Sequence, residues 1–373
     1  MLWRNSLTED NLISRTVALL ACLLVVPVAL ARSGATVEDL IASGRAYLTD
    51  NCHLAQVAFQ AALRDDPGNL EAKLGKGEAL VCQGQFELGI DQYRRVLDGD
   101  PNHVRAHVQL ALAFSEQYGR DSTRHADRLD EALDILEAAQ RLDANSAQVH
   151  NAMGIIQYQS ESFESAQTSF ERAISLAQAA DFSNSALSTM NVNLGNSLRE
   201  LGDLERARTA FRRAIALNPA NASAHNNLGQ VYYALGDCEN AVYELTQAVN
   251  LNPGSTDAAA NLAISTFECE DPAASIPLLK QAIDGGGGLL FPPLYTYLAR
   301  AYLEQGRVAE AVQEAQKGAL LPPATPEGYY YLGQAYQARA QGSDQDSARD
   351  AFERCLEVDP DFSACREALD AGR

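Results

Sequence analysis

The stretch NVNLGNSLRELGDLERARTAFRRAIALNP, residues 191 to 219, returns 34 residues later as HNNLGQVYYALGDCENAVYELTQAVNLNP, residues 225 to 253, and the two agree at 12 of 29 matched places. Shared pairs include Leu194/Leu228, Gly195/Gly229, Gly202/Gly236, Ala207/Ala241 and Pro219/Pro253. A repeat of this period restricts the chain to architectures in which one small unit stacks on copies of itself, because no single unit can bury its apolar side alone. Within each unit a large residue, a small one and another large one fall three and four apart, which places them on one helical face. The pattern occurs twice per unit, so each unit is two amphipathic helices. The small residues mark the place where the helices cross closely. Asn-Pro or Asp-Pro closes the second helix, since proline disfavours helical backbone in the residue before it.

This order of residues resembles the tetratricopeptide repeat, and the resemblance implies an all-α, right-handed superhelix of stacked hairpins, an α-solenoid. About nine units are traceable over residues 36 to 362, ending at or near Pro67, Pro101, Ala144, Gln178, Pro219, Pro253, residue 289, Pro323 and Pro360. The third unit carries extra polar sequence, EQYGRDSTRHADRLDE at residues 116 to 131. The fourth and ninth are also lengthened, and such insertions must emerge as longer helices or as loops. In the seventh, Pro277 lies inside the second helix and DGGGGLLFPP follows at residues 284 to 293, so a kink or hinge is expected before Phe291. The expected organisation is residues 1 to 31 as a leader, 32 to 291 as repeats one to seven, 292 to 362 as repeats eight and nine, and 363 to 373 as a short capping helix.

The leader is expected from TVALLACLLVVPVALA at residues 16 to 31, an uncharged run ending in Ala29-Leu30-Ala31. It reads as a secretory signal cleaved after Ala31. A retained anchor is the alternative, although a spanning helix needs about 20 residues. An exported chain would sit in a periplasmic or extracellular space where disulfides persist. The cysteines agree with that location. Cys52 and Cys238 stand in the inter-helix turns of their repeats, and Cys82 and Cys269 close the first helix of the next repeats, at separations of 30 and 31. Stacking makes those places neighbours, and Cys355 with Cys365 would tie the last repeat to the cap. Free, half-buried thiols are the alternative.

Composition narrows the partners. A net charge of -20 disfavours nucleic acid, whose contact is driven by Lys and Arg releasing counterions, and it favours protein or peptide partners that are neutral to basic. A membrane contact is expected only through an uncleaved N-terminal segment. No nucleophile elbow, zincin helix or phosphate loop is present: Gly285 to Gly288 lacks the following Lys-Ser or Lys-Thr. His103 and His107, four apart, are a faint metal hint, whereas His107, His150 and His225 share one repeat position where a ring packs. No enzyme activity, cofactor or metal is expected. Asn221-Ala222-Ser223 matches a glycosylation acceptor, a short and weak pattern.

The face of the first helices carries the sharper expectation. Asn193, Asn227 and Asn261 recur at intervals of 34, and Asn196 and Gln230, three residues on from the first two, extend the same face. Amides offer donors and an acceptor together, which suits the backbone of an extended peptide. The row resembles the asparagine ladder of the repeat domain of O-linked N-acetylglucosamine transferases, without that family's catalytic domain. Arg199 adds one cation, short of the lysine ladder that chaperone-type repeats use on a terminal carboxylate. In units eight and nine the ladder position holds Tyr297 and Tyr331, flanked by Tyr295, Tyr329 and Tyr330, which would anchor apolar side chains. The function expected is an exported scaffold or adaptor that grips extended segments of its partners, in assembly of a cell-envelope or secretion system. A purely structural or self-associating spacer, or a carbohydrate-binding or polysaccharide-export component, is the alternative.

Overall fold

The computed structural model describes residues 35 to 371 apart from residue 126, so the expected leader and its cleavage site lie outside the described residues. Every regular element described is helical. Contacts divide the chain into two compact units, one ending at Ala180 and one beginning at Asp181.

The first unit contains α1 (Val37–Tyr47), α2 (Cys52–Asp65), α3 (Leu70–Cys82), α4 (Phe86–Gly99), α5 (Val104–Arg120), α6 (Arg128–Leu142), α7 (Ala147–Gln159) and α8 (Phe163–Ala179). The second contains α9 (Asn184–Glu200), α10 (Leu204–Leu217), α11 (Ala222–Ala234), α12 (Cys238–Leu251), α13 (Thr256–Cys269), α14 (Pro272–Ala282), α15 (Pro293–Glu304), α16 (Val308–Leu320), α17 (Pro326–Arg339), α18 (Asp344–Val358) and α19 (Ser363–Ala371). Odd-numbered helices up to α17 are the first helices of successive repeats, even-numbered ones the second, and α19 is the expected cap. In the third repeat the inserted sequence lengthens α5 to Arg120 and adds a short connection before α6.

The repeated residues explain the hairpin. A methyl group placed on Gly154 would lie 2.6 Å from the Phe170 ring, on Gly195 2.6 Å from Phe211, and on Gly333 2.4 Å from Phe352. Glycine therefore recurs because the ring of the second helix lies against the backbone of the first. Phe170, Phe211 and Phe352 are buried, as are the alanines that follow the turns, Ala166, Ala207 and Ala348. The turns need a left-handed residue, supplied by Gly84, Gly202, Gly236 and Gly306 at φ between 68° and 77°. The residue before the repeat-ending proline caps the second helix in extended backbone at Asp100 (φ -142°), Asn218 (φ -142°) and Asp359 (φ -137°).

Pro277 does not end its helix; α14 runs through it from Pro272 to Ala282. The break falls later, where Ile283–Gly287 forms a π turn, Gly286 takes φ 99° and one further turn at Gly288–Leu290 leads to Phe291. Glycine makes that reversal sterically free.

All three cysteine couples are disulfides: Cys52–Cys82, Cys238–Cys269 and Cys355–Cys365, with Cα separations of 6.1, 5.3 and 6.4 Å. Each of the first two fastens a turn to the end of the neighbouring first helix. Between the second and third repeats the equivalent junction is closed without sulfur. There the Arg120 guanidinium lies 4.6 Å from the Phe86 ring centre, and Gln117 Nε2 donates to Glu87 Oε1 at 2.7 Å.

Candidate functional site

In the second unit the first helices α9, α11, α13, α15 and α17 lie in series, each touching the next but one in the chain. Stacking of like helices brings like repeat positions side by side, and the amides expected from the sequence meet in this way. Asn227 Nδ2 donates to Asn196 Oδ1 at 2.9 Å, Asn226 Nδ2 to Asn227 Oδ1 at 3.2 Å, and Asn261 Nδ2 to Asn226 Oδ1 at 3.0 Å. The result is a directional relay, Asn261 to Asn226 to Asn227 to Asn196, running over three repeats. Each of the three donating amides uses one of its two N–H groups within the relay, and each carbonyl oxygen can accept a second bond. All four side chains are half-buried, so the remaining groups are held in place while still reachable.

Not every expected residue joins. Asn193 sits half-buried on α9, one turn before Asn196, and takes no part in the relay. Arg199 donates to Gln230 Oε1 at 3.4 Å and to Glu200 at 2.9 Å, which holds those two side chains at the margin of the same face. Asn226, which the repeat pattern missed, is the link between two helices. Its equivalents in the flanking repeats are Val192 and Ala260, so no periodic signal could have found it.

Beyond Asn261 the chemistry changes. Arg300, on α15, has its guanidinium carbon 4.5 Å from the Phe267 ring centre, 5.0 Å from Tyr331 and 5.3 Å from Tyr297. Phe267 and Tyr297 meet edge to face at 5.3 Å. Arg300 Nη1 donates to Glu268 Oε1 at 3.1 Å. Burial pushes the Tyr297 hydroxyl above the usual phenol range and the Glu268 charge adds to the effect. Tyr331 and Tyr233 are raised for the same leading reason. Tyr297 and Tyr331 both lie against this arginine. Tyr330 meets Tyr331 edge to face at 5.1 Å and also lies by Phe352 and Phe362 under the cap, and Tyr295 lies against Gly288 and Lys317. Tyr233 and Phe267, also missed, do carry a signal: they are aromatic residues 34 apart near the ends of successive first helices.

Three histidines make local structural ties. His150 Nε2 faces the Ala144 carbonyl at 3.0 Å and His225 Nε2 faces the Pro219 carbonyl at 3.1 Å, the same tie from a first helix to the loop before it. His103 caps α5, its Nδ1 accepting from Ala106 N. Among the described residues no group of three or more His, Cys, Asp or Glu is placed to hold a metal ion. Asn221 is occupied as well: Oδ1 accepts from Ala224 N at 3.1 Å and Nδ2 donates to Ser188 Oγ at 3.0 Å, so its amide is engaged in capping α11.

Family models described as tetratricopeptide repeat match residues 42–104, 79–147, 222–255, 260–329 and 327–361, and one described as TPR repeat matches 195–236. The chain belongs to the tetratricopeptide repeat family. Its membership makes it a protein-interaction scaffold. A curated relative, the peroxisomal targeting signal receptor of Eremothecium gossypii, is 27% identical over 190 residues, 44% of this chain and 32% of the receptor. The chain spans about a third of the length of that relative. Among solved structures, the APC/C hetero-tetramer Cut9-Hcn1 aligns over 98% of this chain and 94% of its own at 13% identity and TM-score 0.51, a likeness of fold. A tetratricopeptide repeat protein from Parabacteroides merdae aligns over 71% of this chain and 98% of its own at 19% identity and TM-score 0.49.

Proposed function

We propose that this tetratricopeptide repeat chain is an exported adaptor whose second unit binds extended peptide segments of protein partners on its first helices, in the assembly of a cell-envelope or secretion system. The observation that carries the reading is the amide relay. Four asparagine side chains, ordered by their own bonds, present further donors and acceptors at fixed spacing, so an entering backbone is met by groups that lose little freedom. The relative's name, a receptor for a targeting signal, agrees with recognition of a short segment. Export is supported by the apolar run at residues 16 to 31 and by three disulfides, which persist where the surroundings are oxidising. No described helix is long and apolar enough to cross a membrane. The net charge of -20 favours partners that are neutral to basic overall.

The test is an array of random, proline-free dodecapeptides probed with the full chain and with the variant Asn226→Ala/Asn227→Ala/Asn261→Ala. Binding of a peptide subset by the wild type, lost in the variant while thermal unfolding stays unchanged, supports the reading. Equal binding by both, or none by either, removes it.

A further inference from the structure

We infer that the Arg300 cluster is a receptor for one acidic side chain of the bound segment, so that the second unit selects a neutral or basic peptide carrying an aspartate or glutamate beyond the stretch held by the amides. The inference rests on the peptide-binding reading above and adds its specificity.

The argument is an inventory of donors. A guanidinium has five N–H groups in a planar fork, and Arg300 gives one of them to Glu268. The rings of Tyr297 and Tyr331 flank the same guanidinium, and Tyr233, on α11, feels the charges of Glu268 and Arg300. Among the described contacts these three hydroxyls meet no hydrogen-bond acceptor; Tyr297 and Tyr331 contribute ring contacts only. The cluster is therefore rich in donors; Glu268 is the carboxylate paired with its arginine, and Glu304, at the end of the same helix, acts on Tyr331. An acceptor-rich, negatively charged group completes such a set, and a carboxylate matches the guanidinium fork in shape.

The rings decide against the opposite ligand. Three aromatic faces around a cation would suit an incoming lysine or arginine, but Arg300 already fills that space at 4.5 to 5.3 Å. Long-range charge and local donors then act at different scales: the net -20 steers basic segments toward the chain, while one half-buried fork reads one acid. Glu268 competes for the same arginine. Its side chain is 33% exposed and makes one contact with Arg300, so water can take over its solvation when a ligand carboxylate arrives.

The experiment sorts the peptides bound by the full chain from the same dodecapeptide array. The wild-type pool is expected to be enriched in Asp or Glu at one position, and replacing that residue by Asn or Gln is expected to weaken binding about tenfold. Arg300→Lys, which keeps the charge and removes the fork, loses the preference. Tyr297→Phe/Tyr331→Phe removes only the hydroxyls and leaves the rings, so it lowers affinity for the acidic peptides without shifting the unfolding midpoint. Glu268→Gln raises that affinity about two- to threefold, the reverse of what a merely structural ion pair would give. A bound pool without acidic enrichment, or Glu268→Gln weakening the acidic peptides, overturns the inference and leaves the amide groove standing. An array with no bound pool removes the groove, and this inference with it.

Discussion

The first helices of the two units do different things with the same fold. In the first unit Glu71 is ion-paired with Arg45 and stands 3.6 Å from Arg105 and 3.6 Å from His103, and Arg105 reaches on to Glu78 at 2.7 Å. Charges from three successive repeats satisfy one another. In the second unit the first helices carry amides, then rings about Arg300, and each donating amide of the relay keeps a second N–H outside it. Stacking and core are common to both, so the contrast lies in the side chains on one face. A scaffold can therefore hold part of its length as self-satisfied support while another part stays open to a ligand.

The largest expected effect tests the shared scaffold. Each inter-repeat disulfide closes a comparable loop, with separations of 30 and 31, and on a chain-entropy estimate contributes about 3 to 4 kcal/mol. Cys52→Ser/Cys82→Ser and Cys238→Ser/Cys269→Ser are expected to destabilise their own units by similar amounts, read as denaturant midpoints from hydrogen exchange in each unit. If only one pair matters, the units differ in more than their faces.

Next comes the face itself. Three relay amides at about 1 kcal/mol each amount to about 3 kcal/mol, or about 100-fold in peptide affinity. Asn226→Ala/Asn227→Ala/Asn261→Ala is expected to lose that much in titrations with peptides taken from the array. Arg45→Ala/Arg105→Ala in the first unit is expected to leave affinity within about twofold. An equal loss from both variants would erase the distinction between the two faces.

How much of this was readable beforehand follows from periodicity. The hairpins, the glycine-on-ring crossings at Gly195/Phe211 and Gly333/Phe352, the cap and the cysteine couples all repeat or sit at equivalent positions, and stacking converts equivalence into contact. Asn196, Asn227 and Asn261 were readable for the same reason. Features occurring once were not. Asn226 has Val192 and Ala260 as its equivalents, and Arg300 has Asn196, Gln230 and Ile264. The Phe86 and Arg120 stack stands where other junctions have a disulfide, with the third repeat's insertion lengthening α5, and the break expected at Pro277 is made instead by the glycines after it.

A smaller effect concerns the closed face. Glu78 is largely buried, and among the described residues Arg105 is its ion-pair partner at 2.7 Å. Arg105→Met would leave a carboxylate short of water and without its cation. Because the arginine is itself more than a third exposed, the cost is about 1 to 2 kcal/mol rather than that of a fully buried pair. Urea unfolding followed in the first unit checks it, and Glu78→Gln in the same background is expected to recover most of the loss. No recovery would mean that the packing of the arginine stem, not its charge, held the face.

The finest distinction is the response to acid, where the two units are expected to move in opposite directions. Burial raises the Glu78 carboxyl above its ordinary value of 4.5, against the pull of Arg105. A carboxylate raised on folding favours the folded state when protonated, so its contribution is present below 4.5 and is lost as pH rises through the folded value. In the second unit Arg339 grips Asp344 through Nε at 2.8 Å and Nη2 at 2.6 Å, Gln341 N adds a third bond at 2.9 Å, and the carboxyl is held down to about 2. Its contribution is present above the ordinary 3.8 and is lost as pH falls toward 2. Exchange rates of amides in α3 and in α17 and α18, corrected for the intrinsic effect of pH, are expected to separate on this ground. Glu78→Gln should flatten the first trend alone and Asp344→Asn the second alone. Parallel trends in both units, unmoved by either change, would show that the many exposed carboxylates govern the acid response and that these two do not.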